Sequence, residues 1–380
     1  MITAVAALAG QAYVPCAAQE TVPRPRHQMG ALDRALAKLH NGERAVREEG
    51  QRELVAAGRS AVSGLKEALG EDEGRVREAA AGALAGIGAP AVKKLLAALE
   101  SDDPNCWRAA ALALVMLICD VRADPGPTEA AEALLRLTHR GPAPMRQRAI
   151  SIIGHMCANP ASCPPSVLSR GRDALLAALG DSDADVQWHA VHGLGRVSRE
   201  LAEAQRGLIN ERLHALLASS EAELRGAAAW ALHRENAAAA SMDLDAEASV
   251  ACLALAVREG ADEPGPVVTE QVTKRGAAIA AAIVERLAAD VVWPDALASV
   301  AALRATGPAA RAPLLAALGS ADAAIRSIAA TALGATAPGG DDDAVQALHS
   351  ALHDGDGAVR LAAAKTLGTA VAQSGPLVDL

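Results

Sequence analysis

Residues able to do chemistry crowd the middle of the sequence: Trp188, His189 and His192 stand together, Trp230 is followed by His233, and Arg148 precedes His155. Large amphipathic rings of this kind stack on a flat ligand or anchor a peptide, because they cover much area and keep a polar edge. These seven residues are the candidate binding site. Metal binding is the other chemistry open to them. His189 and His192 are spaced i, i+3, but no carboxylate follows at helical spacing, and a third ligand would have to come from His155 or His233. Zinc takes three or four well-placed ligands, so no metal is expected. The plain alternative is that the tryptophans fill space left by smaller residues and that the histidines are solvated. A solvated role is the default for His27, His40, His139, His214, His349 and His353.

Nucleophilic and phosphate chemistry find no support. The sequence holds no Gly-rich phosphate loop, no G-x-S-x-G and no H-E-x-x-H. Six cysteines, Cys16, Cys106, Cys119, Cys157, Cys163 and Cys252, show no Cys-x2-Cys spacing. Cys157 and Cys163 bracket a short loop and either close a disulfide in an exported protein or remain buried thiols. No cofactor is called for.

The elements that must position the candidate residues repeat along the chain. Seven segments open on an apolar residue, usually followed by Arg: Val76-Arg77, Trp107-Arg108, Met145-Arg146, Val186-Gln187, Leu224-Arg225, Ile325-Arg326 and Val359-Arg360. With the second residue as position zero, position three is always alanine: Ala80, Ala111, Ala149, Ala190, Ala228, Ala329 and Ala363. Position seven is always branched and apolar, from Leu84 and Val115 to Leu367. The copies step by 31, 38, 41, 38 and 34 residues, with one gap of 101 between the fifth and sixth. Such periods belong to helix hairpins stacked into a solenoid. Each unit packs only on its neighbours, so one elongated array is expected.

Composition agrees with helices packed at close range. Of 380 residues 51% are hydrophobic, but only 1% are aromatic and none is Phe, so alanine and aliphatic residues must make the core. The minus-one, three and seven positions are core, which places Trp107 there as well. Position five varies: Gly82, Ala113, Ser151, His192, Trp230, Thr331 and Lys365. The recurring arginines sit one turn after a turn acid, which makes pairing back to that acid the stronger reading than a phosphate ladder. A net charge of -9 argues against nucleic acid as a partner. No run is long and apolar enough for a membrane span.

The pattern L-x-x-A-L-x-D-x-D-x-x-V-R-x-x-A, plainest in residues Leu348 to Gly368 and Leu315 to Gly334, resembles the HEAT repeat family in its phycobilisome-lyase-like form. The resemblance implies an all-α fold, a right-handed α-solenoid of about eight or nine antiparallel helix pairs of HEAT/armadillo type. It implies second helices that line the concave face and a non-enzymatic scaffold for a protein or peptide partner. The alternative is a phycobilin-lyase-like or chaperone-like protein holding a tetrapyrrole. Two other helical-repeat classes resemble the fold. The deoxyhypusine hydroxylase uses His-Glu pairs, and no adjacent His-Glu occurs here. Helical-repeat DNA glycosylases, the remote alternative, need a basic aromatic face and a catalytic carboxylate within it.

The expected organisation runs from a signal-like leader at 1–18 through a disordered linker at 19–28 to a capping helix pair at 29–58. HEAT-like repeats follow at 59–236, degenerate repeats at 237–305 with an acidic, Pro-rich loop at 260–266, further repeats at 306–372, and a tail at 373–380. The leader ends in small residues after Cys16 but lacks a basic start. It reads either as an export signal to a periplasmic or secreted location or as an Ala-rich leader of a cytoplasmic protein, and a lipidated Cys16 is the weaker variant.

Overall fold

A computed structural model describes residues 30–119, 126–160, 163–197, 203–235, 244–259, 266–289, 303–336 and 342–373. The leader and linker, nearly all of the 260–266 loop, Trp293, the helix expected at 294–305 apart from its end, and the tail after residue 373 lie outside the described residues. The described elements are helical throughout: eighteen α-helices and two 3-10 turns. They form an all-α solenoid of helix pairs, and contacts divide the chain into two compact units, Met1–Val197 and Ser198–Leu380.

The first unit contains ten helices: α1 (Ala31–Leu39), α2 (Arg44–Ala57), α3 (Val62–Ala68), α4 (Gly74–Ile87), α5 (Ala89–Ala98), α6 (Pro104–Cys119), α7 (Gly126–Arg140), α8 (Ala143–Cys157), α9 (Pro165–Ala178) and α10 (Ala184–Val197). They pair as five hairpins. Second helices pack on second helices, α2 on α4, α4 on α6 and α8 on α10, while first helices α3, α5, α7 and α9 form the other row. The second unit holds α11 (Glu203–Leu216), α12 (Ala222–Glu235), α13 (Ala246–Arg258), α14 (Pro266–Ala289), α15 (Arg311–Ala317), α16 (Ala323–Thr336), α17 (Asp342–Ala351) and α18 (Gly357–Gln373). Here α12 packs on α13 and α16 on α18. The α14 helix is broken at Arg275, whose φ of -137° is not helical.

Alanine at position three is buried in each copy, and at Gly50, which holds this place in α2, a Cβ would meet Lys38 Cβ at 2.7 Å and the Ala35 carbonyl at 2.9 Å, both in the first helix of the same hairpin. The leucine, isoleucine or valine at position seven fills the space one turn further on. Burying such a side chain contributes about 1.5–3 kcal/mol. Aspartates end the turns and start the second helices. Asp183 Oδ1 accepts from the N–H groups of Asp185 and Val186, both at 3.1 Å, and Asp356 Oδ1 accepts from Ala358 at 2.8 Å. At Gly88, φ of 77° reverses the chain so that α5 follows α4 without a linker.

The cap identifies two further copies and corrects the register of one. In each copy the position-zero N–H donates to the carbonyl four residues back, as Arg77 does to Glu73 and Gln187 to Asp183. Arg47 does so to Glu43 and Ser249 to Asp245, which makes Val46-Arg47 and Ala248-Ser249 additional copies. Their position-three residues are Gly50 and Cys252, both buried and both small. In α6 the donor to Asp103 is Trp107 rather than Arg108. Position three is therefore Ala110 and position seven Leu114, both fully buried, whereas Val115 is only half-buried. Trp107 does not occupy the core slot; Cys106 does, and the tryptophan stands where the other copies place arginine.

The repeated arginine clamps a turn. Arg77 Nη1 donates to the carbonyls of Glu71 and Asp72, Arg225 to Ser219 and Ser220, Arg326 to Ser320 and Ala321, and Arg360 to Asp354 and Gly355. Where a carboxylate joins, it comes from the following repeat, not from the arginine's own turn. Arg146 holds Asp181 with two bonds of 2.8 and 2.6 Å, and Arg326 holds Asp354 with bonds of 2.8 and 2.9 Å. The Arg326 pair, helped by the Asp356 N–H, draws the Asp354 carboxyl down to about 2.

Cysteine pairing also departs from expectation. Cys163 forms a disulfide with Cys119 at the end of α6, across a Cα separation of 4.5 Å. Cys157, the alternative partner, is a buried thiol whose pKa burial pushes up to about 11.

Candidate functional site

The second helices α8 and α10 of successive repeats carry five of the seven candidate residues. In α10, Trp188 at position one and His192 at position five lie one turn apart, with ring centroids 5.3 Å apart and planes 24° from parallel. His189 meets the same indole edge-on at 4.9 Å. All three are half-buried. Sequence reasoning missed Gln147 of α8, whose amide nitrogen stands 3.2 Å from His189 Nε2. Which of the two donates follows the His189 tautomer. The signal was present, since Gln147 shares position one with Trp188.

Two glycines make this bond between repeats possible. A Cβ on Gly154 would lie 3.0 Å from the Gly193 Cα, and the reverse holds as well. The backbones of α8 and α10 therefore touch, and the polar residues toward their N-terminal ends come within hydrogen-bond reach.

Arg148 belongs to a different construction. Its guanidinium lies 5.0 Å over the Trp107 ring and donates to the carbonyls of Leu99, and of Ser101 at 3.1 Å. Those carbonyls are eight and six residues before Trp107, the same offsets at which Gln187 clamps Leu179 and Asp181 in its own repeat. Arg148 thus supplies, from the next repeat, the clamp that Trp107 cannot make. Arg108 approaches the same ring at 5.2 Å. Burial pulls both guanidinium groups below their ordinary pKa, with Asp103 opposing it at Arg108 and Asp102 at Arg148.

The remaining candidates leave the patch. His155 is 9% exposed and packs within α8. Trp230, in the second unit, is 3% exposed and serves as core, with Arg234 at 5.4 Å from its ring. The reason lies one turn earlier at Gly226, where a Cβ would come within 2.4 Å of the Ala248 carbonyl, so α13 closes over that side of α12. His233 is half-buried near the end of α12. Among the described residues no group of three or more His, Cys, Asp or Glu could hold a metal ion, and no helix is long and apolar enough to cross a membrane.

Repeated hairpins, small-residue columns and clamped turns define a class, the α-solenoids of HEAT type. The family profile of HEAT repeats matches residues 32–115, 62–154 and 311–375, and these stretches are HEAT repeats. Similar solved structures include an engineered protein (21% identity over 90% of this chain and 99% of that one, TM-score 0.30). Another is importin beta (16% identity, 89% of this chain and 50% of that one, TM-score 0.46). A third is a designed armadillo repeat protein in complex with the peptide (KR)4 (16% identity, 55% of this chain and 100% of that one, TM-score 0.30). No curated protein matches the chain.

Proposed function

We propose that the protein is a non-enzymatic HEAT-repeat scaffold that holds a protein or peptide partner on the second-helix face of α6, α8 and α10, the inner face in repeats of this class. The observation that carries the reading is the Gln147–His189–Trp188–His192 assembly. It places large amphipathic rings, linked across two repeats, at positions where α4 has only Glu78 and Gly82. Trp188 is the anchor on this reading, because a half-buried indole gives contact area at low entropic cost. The finer assignment to the phycobilisome-lyase-like form rests on the repeat grammar of Leu348 to Gly368 and Leu315 to Gly334.

A photo-crosslinking amino acid at Ser151, on the same face of α8, tests the reading. The expected result is one discrete protein adduct, lost in Trp188→Ala while the thermal melt is unchanged. Equal adduct in Trp188→Ala refutes it. A stoichiometric absorption change with bilin or haem, abolished by Trp188→Ala, would assign the face to a chromophore instead.

A further inference from the structure

We propose that the chain pairs with a second copy of itself through the outward side of α18, an apolar helix face on which the repeat stack is left open. This surface lies in the second unit, and the proposal does not depend on the candidate face of the first.

The interior repeats show what this side of a second helix does. In α16 the carbonyl of Ala330, at position four, accepts a 3.0 Å bond from Thr366 Oγ1 of α18. A Cβ on Gly334, at position eight, would lie 2.4 Å from the same threonine. In α12 a Cβ on Gly226, at position one, would meet Ala248 and Ala251 of α13. Positions one, four and eight therefore face the following second helix. Position four is accordingly 0% exposed at Ala81, Ala111, Ile150, Val191, Ala229 and Ala330. In α18 the same three positions are Leu361, Ala364 and Gly368, and all are exposed. Leu361, at 55%, is the most exposed large apolar side chain among the described residues, and nothing lies within 4 Å of a Cβ on Gly368.

The composition of α18 belongs to a covered helix. It has two charged residues in 17, Arg360 and Lys365, and a helix apolar on all sides is one that is buried. The first described hairpin is closed differently. Its second helix, α2, carries six charged residues in 14, and a polar outer face of this kind is what keeps a terminal repeat soluble on its own.

Shape, charge and area select a second copy as the occupant. Leu361 and Gly368 stand two turns apart on either side of Ala364, so an antiparallel crossing at Ala364 sets each Leu361 over the partner's Gly368. Such a contact is isologous and closes about a twofold axis. The stripe itself is uncharged. Lys365 stands at its border, where a long side chain keeps its ammonium in water, and Arg360 stays with the Asp354 and Gly355 carbonyls. Head-to-tail stacking on α2 does not fit. Position six, where α10 and α18 place Gly193 and Thr366 against the preceding helix, is Glu53 in α2, bound to Lys38 at 2.7 Å. Burying that pair would strip two charges of water. The open side of the α17–α18 hairpin is about 25 Å long and about 20 Å wide, so two copies cover on the order of 1,000 Å², the lower bound for a specific interface.

Sedimentation velocity of the full chain over a range of concentrations tests the proposal, and so small an interface should give a dimer with a dissociation constant on the order of 10 µM. Leu361→Glu places a charge in the stripe and Gly368→Leu fills the recess. Each should weaken the dimer at least about tenfold while leaving the thermal melt of the dilute chain unchanged. The two variants act on separate residues, so either one decides the matter if the other does not fold. Leu208→Glu on α11, at the other exposed leucine, should leave the dimer intact. Salt at about 0.5 M should not dissolve it, because the contact is apolar. A chain that stays monomeric at about 100 µM, or a dimer that survives both substitutions or dissolves in salt, overturns the proposal. A monomer whose melt falls in Leu361→Glu overturns it as well, and assigns the stripe to a segment of the chain itself.

Discussion

Arg148 is expected to stabilise the α5–α6 turn in place of the arginine that position 107 lacks, and a double-mutant cycle with Trp107 measures this directly. Arg148→Ala removes a charged donor from the Leu99 carbonyl, which belongs to a fully buried residue that water cannot serve. That bond contributes about 1.5–3 kcal/mol. The bond to Ser101 contributes less, since this residue is half-buried and water replaces much of it. Stacking on Trp107 adds about 0.5–1 kcal/mol. The expected total cost is about 2–4 kcal/mol. Trp107→Arg restores a clamp from within the repeat, aimed at Ser101 and Asp102 as Arg77 is aimed at Glu71 and Asp72. Combined with Arg148→Ala it should recover part of the loss, giving a coupling of about 1 kcal/mol or more. Urea unfolding followed by circular dichroism reads the global term. Hydrogen exchange at the Asn105 and Trp107 amides, which both bond to Asp103, reads the local one. Effects that add within about 0.5 kcal/mol would refute the shared slot.

Three other outcomes follow from the packing and the ion pairs. Gly154→Ala should cost about 1–3 kcal/mol, because its Cβ meets the backbone of Gly193 and the helices must part. Gly207→Ala in α11, where nothing lies within 4 Å of a Cβ, should be neutral or stabilising by up to about 1 kcal/mol in the same urea assay. Asp354 titrates at about 2 in the folded chain against an ordinary 3.8, so its contribution is complete above the ordinary value and is lost as pH falls through about 2. Asp354→Asn should lower stability at neutral pH and flatten the loss between about pH 5 and pH 2 in thermal melts; an unchanged acid profile would refute the assignment.

The repeat was legible because its columns are chemically monotonous. Alanine at position three and a branched residue at position seven can be read without coordinates. The α6 copy was misread by one residue for a definite reason: Ala109, Ala110 and Ala111 form a run, so the pattern fits at either offset. Only the bond from Trp107 to Asp103 separates the two. The Val46-Arg47 and Ala248-Ser249 copies escaped notice because Gly50 and Cys252 stand where alanine was sought. At the candidate site Trp188, His189 and His192 were found by type and spacing, and the structure stacks His192 on Trp188 and sets His189 edge-on to it. Arg148 was found as well, but its clamp on the α5–α6 turn was not legible, because its carbonyl partners lie 49 and 47 residues away.

By itself the sequence determined the helical class, the stacking of pairs and the columns that face inward, since these follow from propensity, period and side-chain volume within one hairpin. The tertiary structure decided which variable positions remain open to a partner. Trp188 and Trp230 occupy neighbouring places in the repeat, yet Gly226 admits α13 over one side of α12 and buries Trp230 at 3% exposure. The α8–α10 contact at Gly154 and Gly193 leaves Trp188 half-exposed beside His192 and brings Gln147 to His189. How near a neighbouring helix comes depends on residues of two repeats at once, and no pattern confined to one repeat carries that information.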